Sequence, residues 1–265
     1  MKFKHLTLKK NRHVATVIFN RPDKLNALNV QLMREIIAVT EDFREDIETR
    51  VVIFTGTGKC FSSGLDLSDN EYVRRFQEDS LLMKLRFLKM GPRMIKAIYD
   101  MDQITIAAVN GAATGGGACI AAACDFRVGA DDCLVGYPEV GLGMNLSWVA
   151  LPMCVHLMGP SKAKQLVILA ENKNAATLFK WGFLDEVAAA EDLLASALKM
   201  AEAYASKPPI AAQMVKRSVN VIASVLDQAI MHMDTDQFLL SSKTEDFMEG
   251  ITAFFEKRDP LFKGN

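Results

Sequence analysis

The sequence predicts an α/β fold in which parallel strands are joined by helical crossovers, followed by an all-helical tail. Three observations predict it. Strand-like apolar runs alternate with segments of helical spacing through the front of the chain, the order expected of parallel pairing with crossovers. Two of these runs, Arg50 to Thr55 and Ile104 to Val109, carry apolar residues at both alternating sets of positions, the pattern of strands covered on both faces. Beyond residue 160 strand-like runs nearly vanish, leaving one near Leu184 to Val187. Residues 1–200 are therefore expected to form an α/β core that carries the active site. Residues 201–265 are expected to form a helical region too small for a core of its own, which must pack on the body or on a neighbouring subunit.

The elements follow in order. Phe3 to Leu8 and Val14 to Phe19 alternate apolar and polar residues around a polar stretch at Asn11 and Arg12, and read as a hairpin. A loop punctuated by Pro22 and several Asn residues follows. Met33, Ile36, Ile37, Thr40 and Phe43 recur at helical spacing, with Asn29 as the N-cap. The strand at 50–55 runs into a glycine loop. Residues 69–100 read as helical, interrupted at Gly91-Pro92. The strand at 104–109 runs into a second glycine loop, Gly111 to Gly117. A short helix and a strand around Asp125 to Val128 come next. Residues 191–206, 208–223 and 226–256 read as helices, with Pro208-Pro209 as a boundary.

Composition excludes several function classes. The chain has 265 residues and a formal net charge of -1, with no long basic run, so nucleic acid is not an expected partner. The N-terminal stretch, Met1 to Lys10, lacks the apolar core of a signal peptide. No apolar run approaches the roughly 20 residues of a membrane helix. A cytoplasmic location with no membrane association is expected. The five cysteines are odd in number and form no C-x-x-C, which points to reduced, buried thiols. The four histidines, His5, His13, His156 and His232, show no ligand spacing, and no metal is expected.

Chemistry is best placed in the two glycine loops. Each follows a buried strand, where ligands of α/β sheets bind. The loops run from Gly56 to Asp66 and from Asn110 to Ala118. Glycine lets a backbone approach a ligand and keeps its N–H free. A helix opening in the second loop would aim unpaired N–H groups and a positive dipole end at that ligand. Phosphate-loop and dinucleotide patterns are absent, and no G-x-S-x-G nucleophile elbow occurs. One carboxylate stands out. Glu139 follows Tyr137-Pro138 in a glycine-punctuated apolar stretch, where a disfavoured charge would let it exchange protons near neutrality. A helix cap or surface acid remains the alternative reading of that residue.

The motifs together resemble the crotonase superfamily, the enoyl-CoA hydratase and isomerase group. They are Asn20-Arg-Pro-Asp-Lys-Leu-Asn-Ala-Leu-Asn29, Gly58-Lys-Cys-Phe-Ser-Ser-Gly-Leu-Asp66, Val109-Asn-Gly-Ala-Ala-Thr-Gly-Gly-Gly117, Cys124-Asp-Phe-Arg127, Pro138-Glu139 and Phe255-Glu-Lys-Arg258. The resemblance covers nearly the whole chain. It implies a crotonase-like spiral of ββα turns with a C-terminal helical trimerisation region, and hence a homotrimer or a dimer of trimers. It implies an acyl-CoA thioester as substrate and no separate cofactor, coenzyme A being part of the substrate. It also implies an oxyanion hole whose donors are the N–H groups of Leu65 and Gly116, with Gly64 and Gly115 beside them. Coenzyme A would run past Lys24, Ser63, Asp66 and Leu67, and Cys119 would face the acyl group.

The departures from the family pattern set the expected reaction. Hydratases of this group look like two-carboxylate enzymes, and the first of those positions is Cys119 here. Only the second, Glu139, is retained. Adding water suits two acid–base groups, whereas moving a double bond from the 3,4 to the 2,3 position needs one. The expectation is therefore Δ3-to-Δ2 enoyl-CoA isomerisation with Glu139 as proton shuttle. The alternatives are a hydratase in which Asn145 or Ser147 positions water, and a non-catalytic acyl-CoA binder or RNA-associated relative. A dehalogenase or dienoyl isomerase is disfavoured, because the acids those reactions use find no match at Cys119 or Ser147.

Overall fold

The computed structural model describes residues 3–265. Met1 and Lys2, the start of the stretch that lacks a signal-peptide pattern, lie outside the described residues. The chain opens with β1 (Leu6–Asn11) and β2 (Val14–Phe19), an antiparallel hairpin in which Leu6 faces Phe19 and Asn11 faces Val14. The first strand lies further along the chain than the expected Phe3 to Leu8. The turn is confined to Arg12 and His13, with Arg12 at φ 51°, so pairing extends to Asn11. Then come α1 (Val30–Asp42), β3 (Val51–Gly56), β4 (Cys60–Ser62), α2 (Asn70–Glu78), α3 (Leu81–Leu88) and α4 (Met90–Tyr99). The next turn holds β5 (Ile104–Val109), β6 (Ala112–Thr114) and α5 (Gly116–Ala123), and the following one β7 (Phe126–Ala130), β8 (Leu134–Gly136) and α6 (Ala150–Ile168). β9 (Lys173–Asn174), α7 (Ala175–Trp181), β10 (Glu186–Ala188), α8 (Leu193–Ala205), α9 (Pro209–Ala223), α10 (Gln228–Met231), α11 (Asp234–Ser241) and α12 (Glu245–Glu256) complete the chain.

Two sheets result. The larger runs β1-β2-β3-β5-β7-β10, parallel from β2 onward, and the smaller runs β4-β6-β8-β9. Each large-sheet strand β3, β5 and β7 hands over within a few residues to a small-sheet strand, and a helical segment then returns the chain. This is the spiral of ββα turns expected from the resemblance. β3 and β5 are buried on both faces, which explains why apolar residues occupy both of their faces. Phe61 of β4 meets Phe19 of β2 edge-on, with ring centroids 5.3 Å apart, so the sheets share one core. Burying each such side chain contributes about 1.5–3 kcal/mol. α5 is apolar all round and buried at every residue, as a helix enclosed by protein must be.

Capping follows the sequence. The Asn29 side chain accepts from Leu32 N–H at 2.9 Å and starts α1. The helical stretch at 69–100 departs from expectation. It breaks at Asp79-Ser80 and at Lys89, while Gly91 and Pro92 lie in the first turn of α4, where a missing N–H costs nothing. The stretch 226–256 is three helices rather than one; Thr244 caps the last by accepting from Phe247 N–H. α8 lies across β3, β5 and β7. α9 is pinned to the core through Lys216, whose buried ammonium meets Asp125 and the Gln103 carbonyl at 2.7 Å each. Arg127, also buried, donates to Asp185 at 3.0 Å and to the Cys124 carbonyl, tying β7 to the β10 side. All five cysteines are free and buried.

Candidate active site

A cavity of about 580 Å³ opens where the two glycine loops meet. The first loop leaves β4 through Ser63, Gly64 and Leu65. Leu65 forms an isolated parallel bridge with Leu28: Leu28 N–H donates to the Gly64 carbonyl at 2.7 Å, and Asp66 N–H donates to the Leu28 carbonyl at 3.1 Å. Extended backbone sends successive N–H groups to opposite sides, so the N–H of Leu65 points away from Leu28. The second loop delivers Gly116, the first residue of α5, whose N–H belongs to the turn that has no intrahelical acceptor.

Close packing makes these amides neighbours. Gly64 has φ 86°, and a Cβ built on it would lie 2.7 Å from the Thr114 carbonyl oxygen and 3.2 Å from the Gly116 nitrogen. Only glycine accepts that conformation and that approach together. Two neighbouring amides, one of them at a helix start, inside a mostly apolar cavity, are suited to stabilise an oxyanion.

Glu139 enters the cavity beside them. It follows β8 and opens the 3-10 turn at Val140–Leu142; its carbonyl accepts from Leu142 and Met144 N–H. Its Oε1 lies over Gly115, 3.0 Å from where a Cβ would stand. Oε2 is sealed from solvent and has no protein hydrogen-bond partner, although the residue as a whole is partly exposed. Burial disfavours the charged form and pushes the carboxyl from its ordinary 4.5 up to about 7. Such a group is poised to take and return a proton at neutral pH.

Its surroundings are chemically quiet. Cys119 is buried in α5 on the cavity wall, and burial, reinforced by nearby Glu139, holds its thiol well above the ordinary range. A neutral buried thiol is neither base nor effective nucleophile at pH 7. Asp66 is the other acid of the wall. Burial opposes its charge, but hydrogen bonds from Ser68 and the Arg21 guanidinium, the latter at 2.9 Å, keep it below the usual range. Asp66 is thus a paired anion and Glu139 an unpaired one.

Ser63, Gly64, Leu65, Asp66, Leu67, Gly115, Gly116, Cys119 and Glu139 all line this cavity. Lys24 does not: it is exposed on a 3-10 turn, one residue before Leu25, which does line it. The segment 70–100 supplies a wall through Tyr72, Phe87 and Met90. Sequence reasoning missed the tail residues that close the cavity, Thr235, Phe238, Phe254 and Phe255. It also missed Trp148, whose indole packs on Gly116. Phe255 stands in the closing motif of the resemblance but not as a cavity residue, and nothing local marks the others. The tail is brought back to the front only by the fold. Asn145 and Ser147 lie on the wall as well, with Asn145 weakly held by Gln237 of α11 at 3.4 Å. Among the described residues no cluster of metal-binding side chains occurs, and no helix is long and apolar enough to cross a membrane.

Comparison with known proteins gives a consistent picture. The family described as Enoyl-CoA hydratase/isomerase matches residues 9–265. A crotonyl-CoA hydratase of Syntrophomonas wolfei is 35% identical over 265 residues, covering 99% of each chain. A short-chain-enoyl-CoA hydratase of Clostridium acetobutylicum is 32% identical, covering 97% of each. Among solved structures, an enoyl-CoA hydratase/isomerase from Pseudoalteromonas atlantica superposes with a TM-score of 0.88 at 27% identity, over 98% of this chain and all of that one. A carnitinyl-CoA hydratase from Mycobacterium avium superposes with a TM-score of 0.86, also at 27% identity, over 100% of both chains.

Proposed function

Because the chain belongs to the enoyl-CoA hydratase/isomerase family, we propose that it isomerises 3-enoyl-CoA to 2-enoyl-CoA, with Glu139 as the only proton carrier. In this reading the thioester oxygen sits between the N–H groups of Leu65 and Gly116. The Glu139 carboxylate removes a proton from the α-carbon. The electron pair passes through the 3,4 double bond's conjugated system as a dienolate, whose charge rests on the oxygen held by the two amides. The protonated Glu139 then returns the proton to the γ-carbon, leaving the double bond at 2,3. Nothing is consumed, no further cofactor is needed, and Glu139 ends as it began. Each amide donor is worth about 2.7–4 kcal/mol of barrier.

The observation that carries the reading is the inventory of acids. Two carboxylates line the cavity; Asp66 is neutralised by Arg21, and Glu139 stands alone with an unpartnered Oε2. Where a second acid would stand for water addition, Cys119 supplies a neutral thiol. A dry wall also protects the enolate from side reactions. Ser63, Leu67 and Asp66 are placed by this reading along the coenzyme A path, with Lys24 outside the cavity as an optional phosphate contact. The homotrimer reading draws support from exposed apolar residues on α9, among them Ile210, Met214 and Ile222.

A second reading, hydration of 2-enoyl-CoA, is favoured by the names of the relatives, a crotonyl-CoA hydratase at 35% identity first among them. It would assign water positioning to Asn145 or Ser147. One experiment separates the two. The protein is incubated with 3-enoyl-CoA and, separately, with 2-enoyl-CoA, and products are followed by mass and by the absorbance of the conjugated thioester. Isomerisation gives the conjugated product at unchanged mass. Fast gain of one water by the 2-enoyl substrate, without 3-to-2 conversion, would overturn the isomerase reading.

A further inference from the structure

The backbone at Trp148-Val149 is unusual. Both residues have positive φ, 62° and 66°. Two consecutive non-glycine residues in the left-handed region are rare, and a β-branched residue is the least tolerated there. Such a turn persists only where its surroundings hold it. The holding group comes from the tail. Asp234, the first residue of α11, accepts from the Val149 N–H at 3.1 Å, and the neighbouring Trp148 N–H also favours its charged form. Its carboxyl is largely buried, and burial pushes it up to about 6 against the opposing pull of those two amides.

What the turn presents is the indole of Trp148. Its ring fills the space over two glycines on the cavity side. A Cβ on Gly91 of α4 would lie 2.2 Å from Cε2, and a Cβ on Gly116 would lie 2.5 Å from Cζ3. The ring is thus wedged between α4 and the start of α5, against the residue that supplies one proposed oxyanion donor. Thr235 and Phe238, next along α11, line the same cavity.

We propose that Asp234 is a positioning residue: by clamping the Trp148-Val149 turn, it fixes the indole that walls the acyl group beside Gly116. Trp148 is then the side chain that limits acyl size, and the tail helix α11 sets where that limit stands. This rests on the reading of the cavity as an acyl-CoA site, but half of its test does not.

The test uses the full chain carrying Trp181→Phe, so that Trp148 is the only tryptophan. Trp181 lies in α7, away from the cavity. In the absence of substrate, Asp234→Ala is expected to red-shift Trp148 emission and raise its quenching by acrylamide. Asp234→Asn, which keeps a carbonyl acceptor, is expected to restore both. Unchanged emission and quenching in Asp234→Ala would overturn the clamp, whatever the enzyme acts on. In turnover, loss of a hydrogen bond to a charged group predicts KM for a four-carbon enoyl-CoA raised roughly tenfold in Asp234→Ala, with kcat within a few-fold. Trp148→Leu is expected to shift the ratio of kcat/KM between eight- and four-carbon substrates at least roughly tenfold toward the longer chain. An unchanged ratio in that variant would overturn the wall. Should Asp234→Ala fail to fold, Asp234→Asn and Asp234→Ser decide the clamp. A native Trp148 signal in Asp234→Asn with a perturbed one in Asp234→Ser, whose hydroxyl is too short to reach both amides, supports it. Native signals in both overturn it.

Discussion

Replacing Glu139 by Gln should stabilise the protein while disabling it, and the stabilisation should depend on pH in a defined way. Glu139 is buried with an unpartnered Oε2, and its carboxyl is raised from 4.5 to about 7. The folded state therefore binds this proton more tightly than the unfolded state. Stability is fully present below pH 4.5, falls as the pH rises toward 7, and stays at the reduced level above it. Glutamine is neutral throughout, so it escapes the loss. At about 1.36 kcal/mol per pH unit, the gap between 4.5 and about 7 amounts to roughly 3 kcal/mol at pH 8. At pH 5 the same reasoning leaves under about 1 kcal/mol. Urea unfolding of both proteins at steps from pH 5 to 8.5, with m-values compared to check that the transition is unchanged, measures the difference. A stability difference that is flat with pH, or a Gln variant less stable at pH 8, would refute the claim that burial costs the carboxylate its charge.

Three further outcomes follow from the same geometry. Because the reaction begins with the carboxylate form, kcat/KM should rise with pH up to about 7 and then level; a profile flat between pH 5.5 and 8 would contradict Glu139 as base, as would a loss in Glu139→Gln smaller than roughly 10²-fold. Gly64→Ala forces a side chain to φ 86° and against the Thr114 carbonyl, displacing the Leu65 amide; kcat should fall roughly 10²–10³-fold, measured beside circular dichroism to confirm folding. Cys119→Glu places a second acid across from Glu139 and should add water to 2-enoyl-CoA, seen as a mass gain in the product; a folded variant without hydration would show that the missing carboxylate is not what withholds that reaction.

Much of the fold was legible because burial writes itself into composition. β5 falls at the predicted Ile104 to Val109, since a strand covered on both faces must carry apolar residues on both, with only Thr105 polar among them. The smaller sheet was illegible. Cys60–Ser62, Ala112–Thr114 and Leu134–Gly136 are three residues each, too short for a period, and two of them lie inside what reads as glycine loop. Gly91-Pro92 misleads because the same pair that stops a helix also starts one. At the site, the glycines and Glu139 were readable from local pattern and from the resemblance. The Trp148 turn was not, because its clamp lies 85 residues further along the chain and a lone Asp at a helix start ordinarily reads as a cap.

The parallel bridge at Leu65 has a consequence for how this cavity would look to a mutational survey. In the proposed mechanism the atom it offers belongs to the main chain, and every amino acid except proline carries that atom. Substitutions at Leu65 would pass with little effect, while those at Gly64 and Gly116 would fail. The sensitivity map would peak beside the working group rather than on it. The same arrangement leaves the side chain at position 65 free to drift with the shape of the substrate without touching the chemistry.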